Sequence, residues 1–102
     1  MTRRISAIPL SAIDAVVFDT ETTGLDVKTA RIIQIGGVRL HEGELEPDGE
    51  LETFVAPGIP VPPDSTKVHG ISDADLDGAP AYVEACKRFD SFAGERILIG
   101  HS

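Results

Sequence analysis

The 102 residues leave room for one domain, and hydrophobic residues at 41% with charged residues at 25% read as an ordinary soluble globular chain rather than a disordered one. Seventeen acids against nine bases give a formal net charge of −8, which argues against a module that grips duplex nucleic acid through a broad basic stripe. No apolar run approaches the roughly 20 residues that span a bilayer, no signal-peptide pattern follows Arg3 and Arg4, and the single cysteine, Cys86, allows no internal disulfide, so a cytoplasmic location is the default expectation.

Residues 15–19 form a short, β-branched, apolar run that ends on an acid, the pattern of a buried central strand. The polar stretch from Thr20 to Lys28, which holds Gly24, reads as a loop. Residues 31–40 predict a second strand, with Gly36 and Gly37 marking a bulge or close backbone approach and Gln34 needing a hydrogen-bond partner. After a turn over His41 to Glu44, a third strand is expected from about Gly49 to Val55. It places Leu51, Thr53 and Val55 on one face and Glu50, Glu52 and Phe54 on the other. The acids at 42–52 read as a solvated hairpin.

Residues 57–63 are too rich in proline for a sheet interior or a helix and predict an extended connector. Asp64 or Ser65 then caps a short helical turn through Lys67 and Val68, and Gly70 supplies a left-handed exit. Pro80 opens one long helix over about 80–93, whose Tyr82, Ala85, Cys86, Phe89 and Phe92 follow the spacing of a buried face. Arg96 to Gly100 predicts a fourth strand. The order β-β-β-α-β implies an α/β fold with a mixed sheet. The first three strands form an antiparallel meander, and a helical crossover returns the fourth parallel to the first. A chain that stops just after a core strand reads as the truncated N-terminal portion of a single domain, with its motif region from about 15 to 102.

On a strand, residues i and i+2 share a face, so Asp19 and Glu21 project side by side from the end of a buried strand. Two carboxylates held that close repel each other unless a cation lies between them. Hard divalent ions such as Mg²⁺ or Mn²⁺ prefer oxygen ligands. Two of them about 3.5–4 Å apart stabilise both the attacking water and the leaving oxygen of an in-line phosphoryl displacement. Asp19 and Glu21 are therefore candidate metal ligands and catalytic residues. Thr22, Thr23 and Gly24 follow directly and offer main chain against which a nucleotide can lie. A bare Asp-x-Glu is more simply a polar pair where a strand becomes a loop. Here the pair joins a hydrophobic run to a Thr-Thr-Gly loop.

The string from Phe18 to Leu25 resembles the first motif of the DEDD-type, DnaQ-like 3′-5′ exonucleases, the group that includes the proofreading epsilon subunit of bacterial replicative DNA polymerase. The resemblance continues in order through Arg31 to Gly36, Phe54 to Pro57 and the His69-Gly70-Ile71 turn. It ends at Gly100 and His101, where Ser102 stands in place of the family's usual Asn.

The resemblance implies a ribonuclease H-like fold and a metal-dependent 3′-5′ exonuclease that uses two Mg²⁺ or Mn²⁺ ions on a single-stranded DNA or RNA end. It implies that Asp19 bridges both ions and Glu21 binds one, that the backbone at Thr22 and Gly24 contacts the terminal nucleotide, and that Leu25 wedges against its base. His69 falls beside the nucleotide pocket. The family's third and fourth carboxylates and its general-base histidine lie past His101, so these residues alone are expected to be inactive. Polymerase or regulatory domains are the implied partners, with no membrane.

Two other readings compete. A haloacid-dehalogenase-type phosphohydrolase also sets an acid pair after a hydrophobic strand, but it wants Asp where Glu21 stands. A non-catalytic nucleotide-sensing or partner-binding module on the same fold has no need to keep both Asp19 and Glu21.

Overall fold

The computed structural model describes residues 13–24, 26 and 28–101; the arginine pair at the start, Leu25 and Ser102 lie outside the described residues. The elements run β1 (Ala15–Thr22), β2 (Ile32–His41), β3 (Glu44–Phe54), α1 (Pro63–His69), α2 (Tyr82–Ala93) and β4 (Ile97–His101). They form a sheet of order β3-β2-β1-β4, with β1 antiparallel to β2, β2 antiparallel to β3, and β4 parallel to β1. This is the expected mixed sheet.

Three boundaries differ from expectation, each for a local reason. β1 continues through Thr20, Glu21 and Thr22 instead of ending at Asp19. The β-branched threonines suit a pleated surface, and Ile35, Gln34 and Ile32 of β2 are there to pair with them. The third strand begins at Glu44 rather than Gly49 because the turn needs only Glu42 (φ 50°) and Gly43 (φ 79°). Two residues with positive φ match the twist of a tight hairpin. Pro47 is tolerated there because β3 is an edge strand. The long helix begins at Tyr82, since Pro80 and Ala81 are still extended and bridge to Ala56.

Helix α2 covers one face of the sheet. Ala85 packs with Ile35 and Val55, flanked by Ile32 and Phe89, and the Phe89 ring meets Phe18 edge to face at 5.3 Å. Tyr82 was expected on this buried face but stands half exposed at the first turn of α2, between Arg31, Ala56 and Pro57 on one side and Ile35 and Phe89 on the other. Arg39 and Arg96 both reach Glu46 at 3.1 Å, and the Arg39 guanidinium lies 4.8 Å from the centre of the Phe92 ring. The group fastens the C-terminal end of α2 to the sheet.

A second cluster joins Ile33, Val61, Ile71 and Leu76, with Phe54 against it. These residues belong to the sheet, the proline connector and the turns after α1. Helix α1 itself buries no residue and has no side-chain cap; neither Asp64 nor Ser65 serves as one, because Pro62 occupies the N-cap position. Gly70 does supply the left-handed exit, at φ 78°. The two flanks of α1 are tied by Val61, whose N–H donates to Asp73 Oδ1 at 2.9 Å.

Candidate functional site

Because β1 extends to Thr22, Asp19 and Glu21 are both strand residues and share a face by the two-residue repeat. Phe18 lies on the opposite face, against α2. The register sets Asp19 opposite Gly36, and Gly36 opposite Glu52, in one row across three strands. Gly36 has no side chain, so the row holds a depression of about 210 Å³ lined by Asp19, Thr20, Glu21, Gln34, Gly36 and Glu52. Gln34, expected to need a partner, donates from Nε2 to Glu52 Oε1 at 2.8 Å. Asp19 Oδ1 accepts the N–H of Thr20 at 2.9 Å.

Glu21 also lines a second, larger cleft of about 400 Å³, with Thr22 and Gly24 on one wall and Asp64, Ser65, Val68 and His69 of α1 on the other. The strand irregularity between Glu21 and Thr22 lies where the two hollows meet. Val68 stands at the rim, 86% exposed, far more than an aliphatic side chain on a helix commonly is. His69 Nδ1 accepts the N–H of Ile71 at 3.0 Å. The proton of the neutral ring is therefore assigned to Nε2, which is buried and has no hydrogen-bond partner among the described residues. A buried donor left that way costs about 1–3 kcal/mol.

Thr23 is placed differently from its neighbours. It is buried, its N–H donates to Arg31 O at 2.9 Å, and its hydroxyl accepts the N–H of Arg31 at 3.0 Å. Its carbonyl accepts the Ser65 hydroxyl. Thr22 Oγ1 donates to Gly24 O at 2.9 Å, which closes the turn between them. The structure thus brings Asp19, Glu21, Thr22, Gly24 and His69 around two joined hollows, with Thr23 as the fastened base of the loop. Sequence reasoning passed over Glu52 and Val68. Alternation put Glu52 on the right face of β3, but its place beside Asp19 depends on cross-strand register.

The two hollows are lined by Asp19, Glu21, Glu52 and Asp64, and by no lysine or arginine. Such a surface repels a phosphate unless cations lie between. Carboxylate oxygens suit Mg²⁺ or Mn²⁺, and Asp19 and Glu21 fit as part of a ligand set. No group of three or more His, Cys, Asp or Glu that could hold a metal occurs among the described residues. Elsewhere, Asp73, Asp75, Asp77, Gly78 and Glu84 have the spacing of a calcium loop. The structure instead uses Asp73 on Val61 and Asp75 on Ser72, at 2.9 Å each. At the far end of β1, the N–H of Glu42, with help from His41, holds the Asp14 carboxyl below its ordinary 3.8. No helix among the described residues is long and apolar enough to cross a membrane.

Comparison with known proteins agrees with this fold. The solved structures that resemble the chain include Exonuclease X in complex with 5′ overhanging duplex DNA (TM-score 0.71, 23% identity, 85% of this chain and 48% of that one). They also include the nuclease domain of 3′hExo, a DEDDh family member, bound to rAMP (TM-score 0.69, 18% identity, 85% and 50%). At these identities the likeness establishes the fold, the ribonuclease H-like sheet of such exonucleases. Among curated relatives, a DNA polymerase III subunit epsilon-like protein of Rhodobacter capsulatus is 41% identical over 99 residues, which is 96% of this chain and 14% of the relative. A PolC-type DNA polymerase III of Clostridium perfringens is 37% identical over 87 residues, or 85% of this chain and 6% of the relative. The chain thus spans a small part of the proteins it matches. The RNase T-type exonuclease family model matches residues 16–102, and the chain belongs to that exonuclease family.

Proposed function

We propose that these residues form the first part of a divalent-metal-dependent exonuclease domain that removes nucleotides from the 3′ end of single-stranded DNA. The observation that carries this reading is the position of Glu21, shared between an acid-lined depression and a cleft with an apolar rim. One hollow suits cations and the other suits a nucleotide.

In this reading Asp19 and Glu21 hold Mg²⁺ or Mn²⁺, which when bound supplies charge stabilisation for displacement at phosphorus. The terminal nucleotide lies in the larger cleft. The main chain at Thr22 and Gly24 meets it on one side, Val68 gives an apolar surface for its base, and His69 lies beside it. Thr23 acts from below by fixing the height of the loop. The rest of the ligand set, and the base that activates water, are assigned to the remainder of the domain. In support, the chain aligns with about half of the Exonuclease X and 3′hExo chains.

DNA is favoured over RNA by the relatives named as DNA polymerase III proteins. The same names favour association with a replicative polymerase, in proofreading, and hence a cytoplasmic site of action. The test is release of nucleotides from a 3′-labelled single-stranded oligonucleotide by the full-length protein. Activity should require Mg²⁺ or Mn²⁺. Asp19→Ala should lower kcat on the order of a thousandfold, the several kcal/mol a metal ligand commands, without loss of the thermal transition. Unchanged turnover in that variant would sink the proposal.

A further inference from the structure

Helix α1 forms one wall of the nucleotide cleft, yet little in its own sequence holds it in place. It has seven residues, no side-chain cap and no buried residue. The wall is only as well placed as its tethers. Val61 to Asp73 ties its flanks, and Thr66 Oγ1 donates to Ile71 O at 2.8 Å across the exit turn, but both bonds stay on the α1 side of the cleft. Ser65 is different. A helical serine commonly bonds back to the carbonyl of the preceding turn, whereas the Ser65 hydroxyl crosses to the carbonyl of Thr23, 42 residues away in the chain.

Thr23 is the fastened point of the opposite wall. Its N–H and its hydroxyl are both engaged with Arg31, and its carbonyl accepts from Ser65. Thr22 and Gly24, on either side of it, face Val68 and His69 across the cleft. The Ser65 hydroxyl therefore joins the two walls directly, while the apolar cluster of Ile33, Val61, Ile71 and Leu76 anchors only the flanks of α1 to the sheet.

We propose that Ser65 is a positioning residue for nucleotide binding, a clasp that joins α1 to the β1 loop and fixes the width of the cleft. The proposal rests on the exonuclease reading of the same cleft. Ser65 touches neither the metal carboxylates nor the reacting phosphate, so its loss should weaken binding and leave the chemical step nearly alone. In the full-length protein, Ser65→Ala should raise KM for a single-stranded oligonucleotide by roughly three- to tenfold, the range of one net hydrogen bond. Its kcat should stay within about twofold, a change of less than 0.5 kcal/mol in the barrier. Ser65→Thr, which keeps the hydroxyl, should restore KM. A merely structural role would not give that split together with that rescue.

Amide exchange at Thr22 to Gly24 reads the clasp whether or not the enzyme turns over, and should quicken in Ser65→Ala. Unaltered KM and unaltered exchange in Ser65→Ala overturn the clasp, as does an equal rise of KM in the alanine and threonine variants. A wild-type protein that hydrolyses nothing, while its loop still loosens in Ser65→Ala, overturns the nuclease reading and leaves the clasp standing.

Discussion

Gly36 sits between Asp19 and Glu52 in one cross-strand row, and the absence of a side chain there is what leaves room beside the acid pair. Its backbone does not demand glycine, since it lies outside the positive-φ region, and a Cβ would meet only Leu51 O at 3.9 Å. Gly36→Val should therefore fold normally and fill the depression. We expect an unshifted thermal transition with exonuclease activity reduced about tenfold or more, equivalent to at least ~1.4 kcal/mol. Full activity in a folded Gly36→Val protein would show that the depression takes no part in the reaction. At this scale Asp19 and Glu21 were legible because a strand's two-residue repeat needs no partner to be read. Glu52 and the Nε2 proton of His69 were not. One depends on how three strands align, and the other on an N–H two residues away that becomes a donor only once the turn has formed.

Among the elements, the strands and the long helix were legible from periodicity, and the errors fell where a tertiary partner decides the outcome. Thr20, Glu21 and Thr22 look like loop residues in isolation and become strand because β2 pairs with them. Tyr82 fits the apolar stripe of α2 but stands half exposed at its first turn. The mixed topology followed from element order alone, through the handedness of parallel crossovers.

Strand β4 has a different consequence. Ile97, Leu98 and Ile99 are 39%, 52% and 37% exposed on a strand that ends the sheet order of the described residues. Full burial of such side chains is worth about 1.5–3 kcal/mol apiece, and exposed apolar edge strands associate. The 102-residue polypeptide should self-associate, and Leu98→Lys should move it towards monomer in sedimentation velocity. Identical profiles for the two would contradict this view of β4.

Taken as a whole, the molecule gathers the acid pair and both hollows at one end of the sheet. A chain with net charge −8 and no lysine or arginine lining either hollow does not attract nucleic acid by its own field. The proposed function answers this with cations held by Asp19 and Glu21 and with close contacts in the cleft beyond them. Motif order along the chain made this end legible, because five segments in turn resemble one family. What stayed hidden was the division into two hollows meeting at Glu21, which exists only after α1 is set against the β1 loop. The most direct measurement is an anomalous-difference map from crystals of the full-length protein soaked with Mn²⁺ and a nucleoside 5′-monophosphate. Manganese is expected against the Asp19 and Glu21 carboxylates, with the base beside Val68 and His69. Manganese at the Asp73, Asp75 and Asp77 turn, with none at Asp19, would contradict it.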